Sequence, residues 1–199
     1  KKVMEFGRRK GYLNQIPPIP KPPLKINSRS DFSKEEWKRL YEYMREWVKH
    51  PNSRISRQRF YTQQYILILG NSGIRCGTEL RSIRWSNIST TKDLLGDERV
   101  VISVKGKTDR RDVVCNVGIE RYLKRLWEFR SKELGHSPNK SEPILVNPNG
   151  KPIQSYKGSF NSLLDKVNLN FDDEGKRRSP YSLRHTYITM RLMEGVNIY

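Results

Sequence analysis

The chain has 199 residues, of which 39 are Lys or Arg and 21 are Asp or Glu, so its formal net charge is +18 at pH 7. Such an excess opposes compaction and is typical of proteins that bind a polyanion, and we expect that polyanion to be nucleic acid. The longest apolar run, YILILG, is too short to cross a membrane. Two cysteines are too few for a disulfide framework or a zinc cluster, and this favours the reducing interior of a cell as the protein's compartment.

Residues 1–28 differ in composition from the rest of the chain. The segment KKVMEFGRRKGYL is typical of the end of a helix from a preceding domain. The segment NQIPPIPKPPLKINS carries five prolines, and such a composition favours an extended, semi-rigid linker. We therefore expect a linker in residues 1–28 and one main domain in residues 29–199.

The main domain opens with three predicted helices. In FSKEEW, Ser33 is the predicted N-cap and Glu36 completes a capping box. Apolar residues from Trp37 to Val48 then recur at helical spacing. A second helix is predicted from about Arg54 to Leu69, and a third is predicted to begin near Ile74 and to continue through the following apolar positions.

The hydrophobic period then changes from that of a helix to that of a strand. RVVISV and RDVVCNV are β-branched runs separated by KGKTDR, which predicts a β-hairpin, and a short strand near Ile88 makes the sheet three-stranded. Helices are predicted again in IERYLKRLWEF, with Gly135 as the C-cap, in YKGSFNSLLDKVNL and in YSLRHTYITM. The predicted fold is mainly α with a small antiparallel three-stranded β-sheet, an α+β class.

Three segments carry candidate binding residues. SGIRCGTELRSIRW places Arg75 near a predicted helix start, VKGKTDRRDVV places Lys107 at the hairpin tip, and YSLRHTYI places Arg184 within an apolar stripe. Two arginines and a lysine from distant parts of the chain suit one phosphate, because guanidinium contacts phosphate oxygens in pairs. Each also has a simpler explanation: an ion pair between Arg75 and Glu79, an exposed hairpin lysine, and a buried structural arginine.

Taken together, the three segments resemble the tyrosine site-specific recombinases, the phage integrase family. GIRCGTELRSIRWSNI is similar to the family's first arginine box, KGKTDRRDVV to the hairpin that bears its catalytic lysine, and YSLRHTYIT to its second arginine box, His-x-x-Arg followed by His-Thr. The likeness runs from about Asp31 to the end of the chain, with the boxes in family order. The proline-rich start likewise resembles the linker from the family's core-binding domain.

The resemblance implies a function and a set of roles. Arg75 and Arg184 match the arginines that hold the scissile DNA phosphate. In the family, this phosphate is transferred to a tyrosine hydroxyl, which forms a 3′-phosphotyrosyl link. The transfer needs no metal or other cofactor. Lys107 matches the general acid for the departing 5′ oxygen, with Lys105 as the alternative for that position, and Glu79 would orient Arg75. We interpret the basic hairpin residues as DNA-binding: Lys105, Arg110 and Arg111.

The resemblance also implies partners: duplex DNA, and three further copies that form a tetramer on paired DNA sites in the full-length parent. We expect a recombinase of a mobile element such as a prophage, in the bacterial cytoplasm and associated with the nucleoid. The alternatives are a DNA-binding module of the same fold that does not catalyse, and a generic basic RNA-binding protein.

Two positions depart from the family pattern. Tyr181 occupies the place of the box histidine, and a phenol can donate and accept a hydrogen bond but is a poor base near neutral pH. His185 matches the family's next histidine, which we interpret as structural. The nucleophilic tyrosine of the family lies further along the chain than Tyr199, so this fragment is expected to be inactive by itself.

Overall fold

The computed structural model describes residues 2–16, 30–93, 96–106 and 109–196. Most of the predicted linker therefore lies outside the described residues. Among the described helices, none is long and apolar enough to cross a membrane. In chain order, the elements are α1 (Lys2–Arg9), α2 (Lys34–Trp47), α3 (Ser53–Ser72), α4 (Thr78–Arg81), β1 (Ile88–Lys92), β2 (Glu98–Lys105), β3 (Arg110–Val114), α5 (Ile119–Leu134), α6 (Lys157–Val167) and α7 (Pro180–Met193).

Helix α2 begins at the predicted capping box. The backbone N–H of Glu36 donates to Ser33 Oγ at 3.2 Å, and the backbone N–H of Ser33 donates to Glu36 Oε2 at 2.9 Å. Both N–H groups would otherwise lack an intrahelical acceptor, so the reciprocal pair fixes the helix start. The apolar face of the helix is buried at Leu40, Met44 and Trp47.

Helix α3 is the central element of the core. Its residues 61–70 are all buried, and it packs against α5, α6 and α7. The helix extends beyond the predicted bounds at both ends and finishes at Gly73, whose left-handed φ of 62° favours glycine. A Cβ on Gly73 would lie 2.4 Å from the ring of Tyr187, so the end of α3 and helix α7 can approach this closely only because the residue is glycine.

The three strands form the predicted three-stranded antiparallel sheet, and their order in it is β1–β2–β3. Strand β2 is central and buries alternate side chains, among them Ile102 and Val104, against the helices. Its register pairs Ile102 with Ile88 of β1 and Val104 with Arg111 of β3. The turn of the β2–β3 hairpin therefore lies between Lys105 and Arg110.

The predicted third helix is much shorter in the structure. Helix α4 covers only four residues, Thr78–Arg81, so it begins three residues after Arg75 and not near Ile74 as predicted. Gly77 is non-helical at φ −98° and ψ −127°, which delays the helix. Residues 83 and 84 are extended and pair with residues 143 and 144: the N–H of Ile144 donates to the carbonyl of Ile83 at 3.1 Å. This long-range pairing overrides the local helical pattern.

The later helices follow the sequence closely. Helix α5 ends at the predicted C-cap Gly135, and α6 covers most of its predicted segment. Helix α7 begins with Ser179 as N-cap and Pro180 at its first position. Its buried face differs from the predicted one: Leu183 is fully buried together with Ser182 and Thr186, whereas the predicted apolar positions after it are only partly buried.

Candidate functional site

The loop between α3 and α4 holds Arg75 against a carboxylate. The backbone N–H of Arg75 donates to Glu79 Oε2 at 2.8 Å, and its Nη1 donates to Oε1 at 3.1 Å. The Arg75 side chain is 50% exposed, so one side of the guanidinium is bonded to protein and the other faces solvent. The ion pair predicted between these residues is present, and it leaves the arginine accessible to a ligand.

Glu79 is the carboxylate at the centre of the site. Its side chain is 4% exposed, and Arg111 Nη2 of strand β3 donates to its Oε2 at 2.8 Å. Burial alone would raise the pKa of Glu79, but the hydrogen bond from the Arg75 N–H and the Arg111 guanidinium outweigh it, so its pKa lies below the ordinary value of 4.5. Glu79 is therefore ionised at neutral pH and joins two arginines.

Arg184 approaches the same loop from helix α7. Its Nη1 donates to the carbonyl oxygen of Gly73, two residues before Arg75. Within the described chain, no carboxylate lies at ion-pair distance from Arg184. Burial lowers the pKa of Arg184, and the positive charges of Arg111 and Arg75 lower it further. The three arginines are thus close enough to repel one another.

The remaining predicted site residues are Tyr181 on α7 and three residues of the hairpin: Lys105, Lys107 and Arg110. Tyr181 lies one turn before Arg184 on α7, with its ring centroid 5.2 Å from that of His185. Lys105 and Arg110 are exposed and pair across the hairpin. Lys107 lies outside the described residues. No cluster of three or more metal-ligating side chains occurs in the described ranges.

Arg178, a buried arginine just before α7, was not predicted from the sequence as a functional residue. Its side chain is 3% exposed and donates to the carbonyls of Asp31 at 2.8 Å and Phe171 at 2.9 Å, and to Glu36 Oε2 at 2.6 Å. Its guanidinium also lies 4.6 Å from the ring centroid of Phe32. Arg178 thereby ties the start of α7 to the start of α2, a role that no local pattern in KRRSP indicates.

No family model and no curated protein matches this sequence. Among solved structures, the XerH site-specific recombinase bound to its difH substrate is 18% identical, with a TM-score of 0.61 over 96% of this chain and 52% of that chain. The Tn1549 transposon integrase in complex with transposon right end DNA is 15% identical, with a TM-score of 0.63 over 99% of this chain and 65% of that one. A lambda integrase dimer bound to a COC′ core site is 14% identical, with a TM-score of 0.60 over 97% of this chain and 63% of the other.

These likenesses confirm the predicted fold. A helical domain with a three-stranded antiparallel sheet is the architecture that the chain shares with site-specific recombinases. The chain therefore has the fold of the catalytic domains of tyrosine recombinases and integrases. It spans between 52% and 65% of the length of the three solved chains.

Proposed function

We propose that this chain is the main part of the catalytic domain of a tyrosine recombinase, which cuts and rejoins duplex DNA through a 3′-phosphotyrosyl link. The observation that carries this proposal is the arrangement of Arg75, Arg111 and Arg184 around one buried carboxylate, Glu79. Three guanidinium groups and one carboxylate leave a net positive charge, which a phosphate can neutralise. Solved proteins of the same fold that are bound to DNA support this assignment.

The proposed roles follow from what each group can donate. Arg75 and Arg184 bind the non-bridging oxygens of the scissile phosphate and neutralise the charge that develops on them in the transition state. Lys107 donates a proton to the departing 5′ oxygen. Tyr181 donates a hydrogen bond from its hydroxyl where the family has a histidine.

The reaction balances without a cofactor. The hydroxyl of the attacking tyrosine loses its proton to solvent as its oxygen forms a bond to phosphorus. The bond from phosphorus to the 5′ oxygen breaks, and the leaving oxygen takes a proton from Lys107. The energy of the phosphodiester is kept in the 3′-phosphotyrosyl bond, and attack by a 5′ hydroxyl reverses the step. On this proposal the attacking tyrosine follows Tyr199 in a longer parent, in which residues 1–28 connect a preceding DNA-binding domain.

The parent is proposed to act as a tetramer on two paired duplexes, within a mobile element such as a prophage. These finer points rest on the resemblance of the three sequence segments and on the transposon integrase among the structures of similar fold. The charge of +18 supplies the attraction to duplex DNA that each protomer needs.

A second candidate is a DNA-binding module of the same fold that does not catalyse. Tyr181 favours it, because it replaces a histidine of the family's catalytic box. In that case the arginine cluster binds a phosphate but performs no transfer. The two candidates make the same prediction for DNA binding and opposite predictions for a covalent intermediate.

A trapping experiment tests the proposal. The full-length parent is incubated with a suicide duplex that carries its recombination site and loses a short fragment after cleavage. We expect a denaturant-resistant protein–DNA adduct, reduced on the order of a hundredfold or more by Arg75→Ala or Arg184→Ala. Circular dichroism spectra and melting temperatures close to those of the parent show that both variants are folded. Binding by the parent with no adduct would favour the non-catalytic module.

A further inference from the structure

One buried carboxylate joins the β2–β3 hairpin to the Arg75 loop. Glu79 accepts from Arg75 N–H at 2.8 Å and from Arg75 Nη1 at 3.1 Å, and Arg111 Nη2 lies 2.8 Å from its other oxygen, Oε2. Arg111 is 32 residues away from Glu79 in the sequence, whereas Arg75 is four residues away. The contact with Arg111 is therefore the tertiary bond that connects the two segments.

The strand register explains why Arg111 reaches Glu79 and its neighbour does not. Arg111 pairs with Val104 and Arg110 pairs with Lys105, and successive side chains of a strand point to opposite faces. Val104 is 1% exposed and Val113, two residues beyond Arg111, is 7% exposed, so Arg111 shares the face that packs on the helices. Arg110 lies on the opposite, exposed face of the hairpin.

The turn end of the hairpin also lies against Arg75. The N–H of Gly106 donates to the carbonyl of Asp109 at 2.8 Å, which closes the hairpin. A Cβ built on Gly106 would lie 3.6 Å from Glu79 Oε1 and 3.9 Å from Arg75 Nη1. The hairpin at Gly106 thus lies beside the arginine that is proposed to bind phosphate, close enough that an added Cβ would contact its guanidinium.

We infer that Arg111 is a positioning residue and not a phosphate contact: by bonding Glu79 it holds the hairpin at Gly106 against Arg75 and fixes the direction of the Arg75 guanidinium. The inference rests on the proposed function, in which Arg75 binds the DNA phosphate. Arg111 is 40% exposed but its guanidinium is bonded to Glu79, whereas Arg110, on the outer face, has no carboxylate partner for its guanidinium among the described residues and is the better placed of the two for DNA phosphates. The two adjacent arginines of the hairpin therefore have different functions.

A pair of matched variants of this chain, Arg111→Gln and Arg110→Gln, tests the inference by hydrogen exchange. We expect Arg111→Gln to raise the exchange rate about tenfold at the amides of Arg75 and Gly106, since Glu79 then loses the guanidinium that ties the hairpin to the Arg75 loop. Arg110→Gln is expected to leave both rates unchanged. Arg111→Lys keeps a charge at the position and should restore part of the protection.

Salt-dependent binding of duplex DNA by the same variants gives the second readout. Arg110→Gln should reduce the slope of log K against log salt by about one, and Arg111→Gln should reduce it by less, because Arg111 makes no phosphate contact of its own. The opposite pattern, a larger reduction of the slope with unchanged exchange in Arg111→Gln, would overturn the inference. If Arg111→Gln does not fold, Glu79→Gln is expected to raise exchange at Gly106, whose amide does not bond Glu79, and an unchanged rate there would also overturn the inference. A wild-type chain that does not bind DNA would count against the proposed function alone, because the exchange readout needs no DNA.

Discussion

Arg184 donates a hydrogen bond to the carbonyl oxygen of Gly73, a residue 111 positions earlier in the chain. This bond joins the first turns of α7 to the end of α3, at the point where the left-handed glycine lets the Tyr187 ring approach. Because Arg75 follows Gly73 by two residues, the bond also sets where the two arginines lie relative to each other. The phosphate site is thus built from a backbone contact as well as from charges.

Removal of Arg184 should weaken DNA binding in a salt-dependent manner. We expect the wild-type chain to bind duplex DNA with an affinity that falls steeply with salt, each phosphate contact contributing about 0.9 to the slope of log K against log salt. Arg184→Gln should lower that slope by about one. The measurement is a titration by fluorescence anisotropy at several salt concentrations.

Lys176→Gln is the matched control for that titration. Lys176 pairs with Glu174 and lies beside Asp172 on an acidic surface, from which DNA phosphates are repelled. The control removes the same charge as Arg184→Gln and should leave the slope unchanged. An equal effect of both variants, or an almost flat salt dependence of the wild type, contradicts a phosphate at Arg184.

Glu79 should contribute stability that depends on pH in the acid range. Its pKa is lower in the folded chain than its ordinary value of 4.5, so its contribution is fully present above about pH 4.5 and is lost as the pH falls through the lower, folded value. At neutral pH, Glu79→Gln should cost about 1–2 kcal/mol, because its two arginine partners are half exposed.

Urea unfolding of the wild type and Glu79→Gln at pH 7 and pH 3 measures this effect. The free energy of unfolding of the two proteins should differ at pH 7, and the difference should shrink at pH 3. A difference that stays constant with pH would mean that the Glu79 charge does not stabilise the fold.

Tyr181 is predicted to act through its hydroxyl. In the full-length parent, Tyr181→Phe should lower the rate of strand cleavage on the order of a hundredfold, since one well-aimed donor to the transition state is lost. Tyr181→His restores the residue of the family pattern and should keep or raise the rate. Cleavage by Tyr181→Phe at the parental rate would show that the ring only packs against its neighbours.

Arg178 should be among the most destabilising positions to change. Arg178→Met removes the guanidinium partner of Glu36 and the donor to three backbone carbonyls, and breaking a buried pair in this way costs about 3–5 kcal/mol. The adjacent Arg177 is exposed, so Arg177→Met should change stability by less than about 0.5 kcal/mol. Thermal unfolding of both variants compares the two costs, and similar melting temperatures would contradict the structural role of Arg178.

Features that depend on local pattern were predictable from the sequence. The Ser33 capping box, the C-cap at Gly135 and the hairpin of β2 and β3 all follow from residues within a few positions of one another. The same holds for the pair of Arg75 and Glu79, which are four residues apart in the sequence. These predictions needed no knowledge of the rest of the fold.

Features that depend on distant partners were not predictable in this way. Helix α4 is short because residues 83 and 84 pair with residues about 60 positions later, and Arg178 is buried because α2 begins beside it. Because side chains alternate along a strand, Arg110 and Arg111 lie on opposite faces of the hairpin. The sequence does not show which of these two faces contacts Glu79. That choice appears only when the hairpin packs against the Arg75 loop.

A crystal structure of the chain bound to duplex DNA tests most directly whether Arg75 and Arg184 share one phosphate. We predict that a single backbone phosphate accepts hydrogen bonds from both guanidinium groups, at distances of about 2.7–3.2 Å. Arg111 should remain on Glu79 in the same complex. A complex in which Arg75 and Arg184 contact different phosphates, or in which DNA lies on another face of the domain, would contradict the account.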